Sequence, residues 1–149
     1  MRRNQKTNKS IVFIFLFFLP FLTHYFIPIM VIVQKPYSYL GSIFMIAGLI
    51  LAVESSRMFK TAGNHYDLKS GSAKLITSGI FLYSRNPMYL GVLFWLIGLG
   101  ILLGSLISFL YPIIFFILAN IMIILEEKKL INIYGDTYMN YRRSVRRWF

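Results

Sequence analysis

Apolar and polar positions fall in long blocks rather than in a short alternation. Four uncharged stretches stand out: Ile11–Val33, Tyr37–Val53, Met88–Gly104 and Leu106–Leu125. A bilayer core takes roughly 20 residues per helix, so each stretch suits one span, two of them near the lower limit. The run from Asn86 to Leu125 carries no charge and is too long for one crossing. Gly104-Ser105 near its middle supplies a turn. An antiparallel hairpin folded there returns Glu126 to the depth of Arg85 and Asn86. The pattern predicts an all-α integral membrane bundle of about four transmembrane helices, over 11–33, 37–53, 88–104 and 106–125. A loop over 54–87 and an amphipathic segment over 126–149 complete one membrane domain, 1–149.

The connecting segments refine this picture. Gln34-Lys35-Pro36 is a short turn that makes the first two spans antiparallel. Gly41, Ala47, Gly48 and Ala52 give the second span a small-residue face for close helix packing. Pro20 and Pro28 are tolerated in a membrane helix as kinks. His24, mid-span, is either a functional group or a hydrogen-bonding partner of a neighbouring helix. Glu54–Lys60 extends the second helix beyond its apolar part. Ala62–Tyr66 and Lys69–Ser72 read as loop, and Lys74–Gly79 as an extended stretch stopped by glycine. The apolar Leu75, Ile76, Ile80 and Phe81 argue for an ordered cap over one membrane face. After Leu125, residues Leu130, Ile133, Tyr134, Tyr138, Tyr141 and Val145 recur at spacings of three and four among arginines. That is an interfacial helix, broken at Tyr134-Gly135-Asp136, lying on headgroups or on the 54–87 loop.

Composition supports a membrane protein: 57% of the residues are hydrophobic and 17% aromatic. The formal charge of +11 is distributed by topology, since of 16 Lys and Arg residues Lys35 alone falls on the outer side of a four-span arrangement. The positive-inside rule then puts both termini and the long loop in the cytoplasm. Attraction to anionic headgroups accounts for the basic flanks, and no nucleic-acid partner is expected. The chain has no cysteine, which excludes disulfides, thiolate catalysis and Cys-based metal sites; no metal is expected. Arg2, Arg3, Lys6 and Lys9 before an apolar run resemble a secretory signal, but the run is long and lacks a small-x-small cleavage site, so an uncleaved span is expected.

The chemistry-bearing groups gather at the ends of the hairpin. Asn86 is a helix N-cap and Pro87 a first helical residue. The third span therefore starts with exposed N–H groups beside Arg85, a combination that holds a carboxylate or phosphate. Snorkelling of Arg85 to headgroups is the plainer alternative. Glu126 and Glu127 are two of only five acidic residues. As acids at a helix C-terminus they oppose the macrodipole. Consecutive residues point about 100° apart, so one can bind a cation while the other meets solvent. An anion clamp facing an acid suits a zwitterionic ligand.

Leu75-Ile76-Thr77-Ser78-Gly79-Ile80-Phe81 with Ser84-Arg85-Asn86-Pro87-Met88-Tyr89-Leu90-Gly91 resembles the signature of the isoprenylcysteine carboxyl methyltransferase family, grouped with the phospholipid methyltransferases. Its second half is similar too: Glu126-Glu127-Lys128-Lys129-Leu130, Tyr134-Gly135, Tyr138, Tyr141, and Val145 with Arg147. Ala62-Gly63 matches a weaker element. The resemblance covers about Phe59 to Phe149. It implies S-adenosyl-L-methionine as cofactor, a loop that caps it, and a pocket lined by Ala73, Lys74, Leu75, Ile76, Phe81, Arg85, Asn86, Pro87, Met88, Tyr89 and Glu126. Arg85, Tyr89 and Glu126 are the candidate catalytic residues, chiefly in positioning, because methyl transfer depends on alignment. The cofactor carboxylate goes to the Asn86 helix start and the cationic end to Glu126, or the reverse.

Three positions depart from the family pattern. Asn86 stands where eukaryotic members commonly have His, a change that within this resemblance implies a bacterial-type member in an inner membrane, and Phe81 where a Tyr is usual. Met122 stands where prenylcysteine-processing members tend to have Arg, which argues against a prenylcysteine carboxylate substrate; Asn120 nearby is neutral. The acceptor is expected to be a lipophilic small molecule or lipid entering between spans. His65 is a base or a surface residue. Two other readings are carried: a nicotinamide-dependent membrane reductase resembling sterol reductases around Arg85-Asn86-Pro87-Met88-Tyr89, and a small four-helix transporter. Oligomeric state is open.

Overall fold

The computed structural model describes residues 18–26, 30–61 and 75–149. Among these the chain is all-helical, with one isolated β-bridge and no strand. Residues 18–26 are helical (α1); α2 runs Leu40–Thr61, α3 Pro87–Leu103, α4 Leu110–Tyr134 and α5 Asp136–Ser144. Single 3-10 turns, Tyr37–Tyr39, Gly79–Leu82 and Leu106–Phe109, lead into or between them. The helical stretches Tyr37–Thr61 and Leu106–Tyr134 are long and apolar enough to cross a membrane, and α3 is a shorter apolar helix of 17 residues.

Helix α2 packs along α3 far more extensively than α3 packs along α4. Glycines set the first contact. A Cβ on Gly41 would overlap the Gly98 carbonyl oxygen, and one on Gly48 the Gly91 carbonyl oxygen. The two glycines lie seven positions apart on each helix, so one face of each stays in register with the other. Without a hydrophobic driving force between helices in lipid, such close van der Waals contact is what holds them. Outward-facing Ile43, Ile46, Leu49 and Ile50 on α2, and Ile113, Ile117, Ile121 and Leu125 on α4, are exposed. An apolar surface of that extent suits lipid rather than water.

The hairpin turn between α3 and α4 forms at Gly104, whose φ of 68° is left-handed. Residues 30–33 clasp it. Ile32 and Val33 donate to the Gly104 carbonyl at 2.7 and 3.2 Å, and Leu106 donates to the Met30 carbonyl at 3.1 Å. A side chain at Gly104 would strike the Val33 carbonyl. Residues 30–33 are therefore not helical, against an expectation of helix through Val33.

One further expectation needs correction, and another is narrowed. Helix α4 does not stop at Leu125 but continues to Tyr134, so Glu126 and Glu127 are interior to a 25-residue helix. They carry no macrodipole penalty, because that effect is confined to the last turn. The amphipathic α5 turns its apolar face to protein: Tyr138, Tyr141 and Val145 are buried against Leu75, Leu130, Ile131 and Tyr134. Of the two surfaces expected for it, the 54–87 loop is the one it meets. Pro28, Ala62, Gly63, His65, Ala73 and Lys74 lie outside the described residues.

Candidate functional site

Helix α3 begins at Pro87, and its first turn lies against the part of α4 that carries the two glutamates. The hairpin thus brings the 85–89 motif to Glu126 and Glu127 over a sequence gap of nearly forty residues. Their carboxylates part company there. Tyr89, 7% exposed, donates its hydroxyl to Glu126 Oε1 at 3.0 Å. Glu127, 5% exposed, sits between two guanidinium groups: Arg85 Nη1 is 2.7 Å from its Oε1, and Arg147 Nη2 is 2.8 Å from its Oε2. Arg147 Nε adds a contact to Oε1 at 3.3 Å. A carboxylate bound in this way by forked donors is fixed in direction as well as charge.

Arg85 is therefore not the open clamp suggested by its place before a helix start. Its side chain is 8% exposed and engaged with Glu127. Its Nε is buried and has no acceptor among the described residues. Asn86 also differs from expectation. It occupies the cap position, with Pro87 next, but its side chain caps nothing. Instead its Nδ2 donates to the Arg147 carbonyl at 3.4 Å, leaving the first N–H groups of α3 without a side-chain cap. The reason is a competing partner: residues 145–149 cross this corner. Arg85 N–H donates to the Arg146 carbonyl at 3.1 Å, and Ser84 Oγ to the Arg147 carbonyl at 3.2 Å.

Tyrosines of α5 close the site from the loop side. Burial and the Glu127 charge push the Tyr138 hydroxyl above its ordinary value, against a hydrogen bond and charge from Arg85. Burial, with Tyr138 beside it, pushes Tyr141 up to about 12. The Tyr141 hydroxyl donates to the Phe81 carbonyl at 2.6 Å, tying α5 to the 3-10 turn before α3. Phe81 and Leu75 belong to this layer. Ile76 instead lines an open cleft of about 420 Å³ with Glu54, Arg57, Met58, Thr61 and Ser78. Met88, 41% exposed, meets Ser56 Oγ through its sulfur at 3.8 Å. The cleft lies beside the end of α2, and neither Tyr89 nor Glu126 lines it.

Sequence reasoning missed the part played by Glu127, Arg147 and Ser84. Beyond its place with Val145 in the family signature, Arg147 reads as one of several arginines on an amphipathic segment, and nothing in its spacing points at a carboxylate 20 positions earlier. The one usable signal was that two adjacent acids, in a chain with so few, cannot both face the same ligand.

Comparison with known proteins adds to this. The family profile described as phospholipid methyltransferase matches residues 36–137, about two-thirds of the chain. The protein-S-isoprenylcysteine O-methyltransferase of Schizosaccharomyces pombe is 36% identical over 72 residues, covering 48% of this chain and 30% of that one. Its counterpart from Xenopus laevis is 30% identical over 110 residues, covering 67% and 38%. This chain thus spans about a third of the length of these relatives. The solved structure of the eukaryotic intramembrane Ras methyltransferase ICMT (isoprenylcysteine carboxyl methyltransferase) matches all of this chain and 53% of that one. The TM-score is 0.71 at 24% identity, a likeness of fold.

Proposed function

This chain belongs to the phospholipid methyltransferase family, and on that premise we propose that it is an S-adenosylmethionine-dependent membrane methyltransferase acting on a lipophilic acceptor. The observation that carries the reading is the Tyr89–Glu126 hydrogen bond beside the Arg85–Glu127–Arg147 cluster.

The donor set fits the cofactor. S-adenosylmethionine bears a carboxylate, an ammonium and a sulfonium. The buried Arg85 Nε and the uncapped N–H groups at the start of α3 suit the carboxylate. Glu126, held by Tyr89, suits the cationic end. When bound, the cofactor supplies a methyl group activated by positive sulfur. The chain's own part is to bind and orient. Glu127 holds Arg85 in one rotamer, and Arg147 balances the second Glu127 oxygen, so that the Nε direction is set before any ligand arrives. Such prior ordering is the main catalytic resource where a reaction depends on alignment. Ala73, Lys74, Leu75, Ile76, Phe81, Asn86, Pro87 and Met88 complete the proposed lining.

The acceptor is read as a lipophilic small molecule or lipid because the site is carried by the apolar helices α3 and α4. Met122 gives no cation for a prenylcysteine carboxylate. One multi-pass domain with both ends on the site's side of the membrane is the topology we infer. Calorimetric titration of S-adenosylmethionine into detergent-purified protein tests the reading. Micromolar binding that is lost in Arg85→Ala and Glu126→Gln supports it, whereas well-folded protein that binds no S-adenosylmethionine in the presence of lipid overturns it.

A further inference from the structure

Residues Val145–Phe149 do more than cross the corner of the site. Below Arg147 the chain descends along the apolar parts of α3 and α4. Trp148 meets Phe116 in a tilted ring contact with centroids 5.2 Å apart, and its Nε1 donates to Asn120 Oδ1 at 3.3 Å. Phe149 meets the edge of Phe94 at 6.2 Å, and Phe94 in turn stacks on Phe44 of α2 at 6.0 Å. At 1.5 Å of rise per residue, Phe94 lies roughly 10 Å beyond Pro87 and Phe116 roughly 16 Å from Glu127. Half the thickness of a bilayer core is about 15 Å. An aromatic pair that leaves the charged level at Arg147 therefore ends near mid-membrane.

The partners on α4 form one stripe. Phe116, Asn120 and Glu127 recur at helical spacing and all face this strap. Asn120 is the one carboxamide between Pro87 and Ile131. Its Nδ2 turns back to the Phe116 carbonyl at 2.8 Å, which leaves its oxygen aimed at Trp148. The strap's two ends are held unequally. The upper end has the Glu127 ion pair and three hydrogen bonds to the backbone carbonyls of Arg146 and Arg147. The lower end has ring contacts and one long hydrogen bond, and Phe149 is 67% exposed. Trp148 also packs on the cluster that contains Tyr89, next to the proposed reaction centre.

We propose that Trp148 and Phe149 form a displaceable gate over the seam between α3 and α4, latched by Asn120, whose place is taken by the hydrocarbon chain of the acceptor. The acceptor's identity as a lipophile rests on the proposed function; the gate itself rests on the strap. The exchange is close to neutral in apolar terms, since in a bilayer aromatic side chains and hydrocarbon tails are comparable surroundings for a helix. The latch supplies the polar bias toward the closed position. Arg147 is the hinge, because everything above it is fixed.

The test uses the full chain in nanodiscs carrying Trp95→Phe, which leaves Trp148 as the single indole, and dodecanol, an uncharged hydrocarbon chain, as the lipophilic probe. The expected result is a saturable red shift of Trp148 emission with a gain in acrylamide quenching. Asn120→Leu should reach half-effect at about one-third of the probe concentration, while Asn120→Gln stays near the parent; circular dichroism checks the fold of each. Trp148 emission that stays fixed at saturating probe overturns the gate, as does an identical half-effect in folded Asn120→Leu. S-adenosylmethionine titration on the same nanodiscs separates the two proposals. Cofactor binding with a fixed indole sinks the gate alone, and a responsive indole without cofactor binding sinks the methyltransferase reading alone.

Discussion

Glu126 and Glu127 are consecutive on α4, yet one accepts a hydroxyl from Tyr89 at 3.0 Å and the other lies between the guanidinium groups of Arg85 and Arg147 at 2.7 and 2.8 Å. A rotation of about 100° per residue assigns them to different neighbours and so to different work. Glu127 orders the site, and Glu126 is the acid proposed to meet a ligand.

This division predicts opposite mutational behaviour. Removing one partner of a buried ion pair strands the other charge and costs about 3–5 kcal/mol. Glu127→Ala should lower thermal stability in detergent by that order, seen as a fall in Tm by circular dichroism. Glu126→Gln keeps the shape and an acceptor oxygen for Tyr89, so its Tm should move little while S-adenosylmethionine affinity is lost. Equal destabilisation by both would contradict the assignment.

Tyr89→Phe removes a hydroxyl but no ring. Its packing on Phe115, with centroids 6.5 Å apart, is kept. The hydrogen bond to a charged acceptor is worth about 1.5–3 kcal/mol. If that bond orients Glu126 for the cofactor, affinity by calorimetry should fall at least tenfold, since about 1.4 kcal/mol is a factor of ten. Unchanged affinity would reduce Tyr89 to a packing role.

The glycine contacts between α2 and α3 predict sharp size sensitivity. Gly48→Ala places a methyl where the Gly91 carbonyl already lies, and the overlap is with backbone rather than with a side chain that could swing away. Overpacking of this kind costs about 1–3 kcal/mol. Gly135→Ala meets nothing within 4 Å; there only the φ of 51° is at stake. Gly48→Ala should therefore lower the Tm by more than Ala52→Gly, which leaves backbone contacts in place.

Alkaline pH should loosen α5. The Tyr141 hydroxyl is neutral and hydrogen-bonded in the folded chain, with its pKa raised from 10.0 to about 12. A group raised on folding contributes stability that is fully present below its unfolded value. That contribution fades as pH climbs through the folded one. Stability should thus decline between about pH 10 and 12, and Tyr141→Phe should flatten that step while lowering stability near neutrality by about 1 kcal/mol. Tyrosinate absorbance followed alongside circular dichroism checks both parts.

Much of this was readable in advance. The all-helical character, the hairpin about Gly104, the meeting of Arg85 with the glutamates and the family follow from apolar run lengths and two spaced motifs. The assignment of partners did not. Arg85 beside a helix start reads as an anion clamp only until Glu127 is known to engage it, and Asn86 reads as a cap only until the Arg147 carbonyl competes for its amide. Both outcomes are decided by the 145–149 strap, whose path depends on packing against three helices at once. No local periodicity encodes such a path. The end of α4 was misplaced for a related reason: charge ends an apolar run, but it does not end a helix.

The clasp of residues 30–33 on Gly104 has a mechanical consequence. It pins α3 and α4 together at the extremity remote from Tyr89 and Glu126, like the spring of a clothes-peg. Any splaying of the two helices is then a rotation about that spring, with displacement growing along their length. At 1.5 Å per residue the seventeen residues of α3 make a lever of about 25 Å. A tilt of a few degrees, too small to disturb the turn, opens the jaws at the site by more than 1 Å.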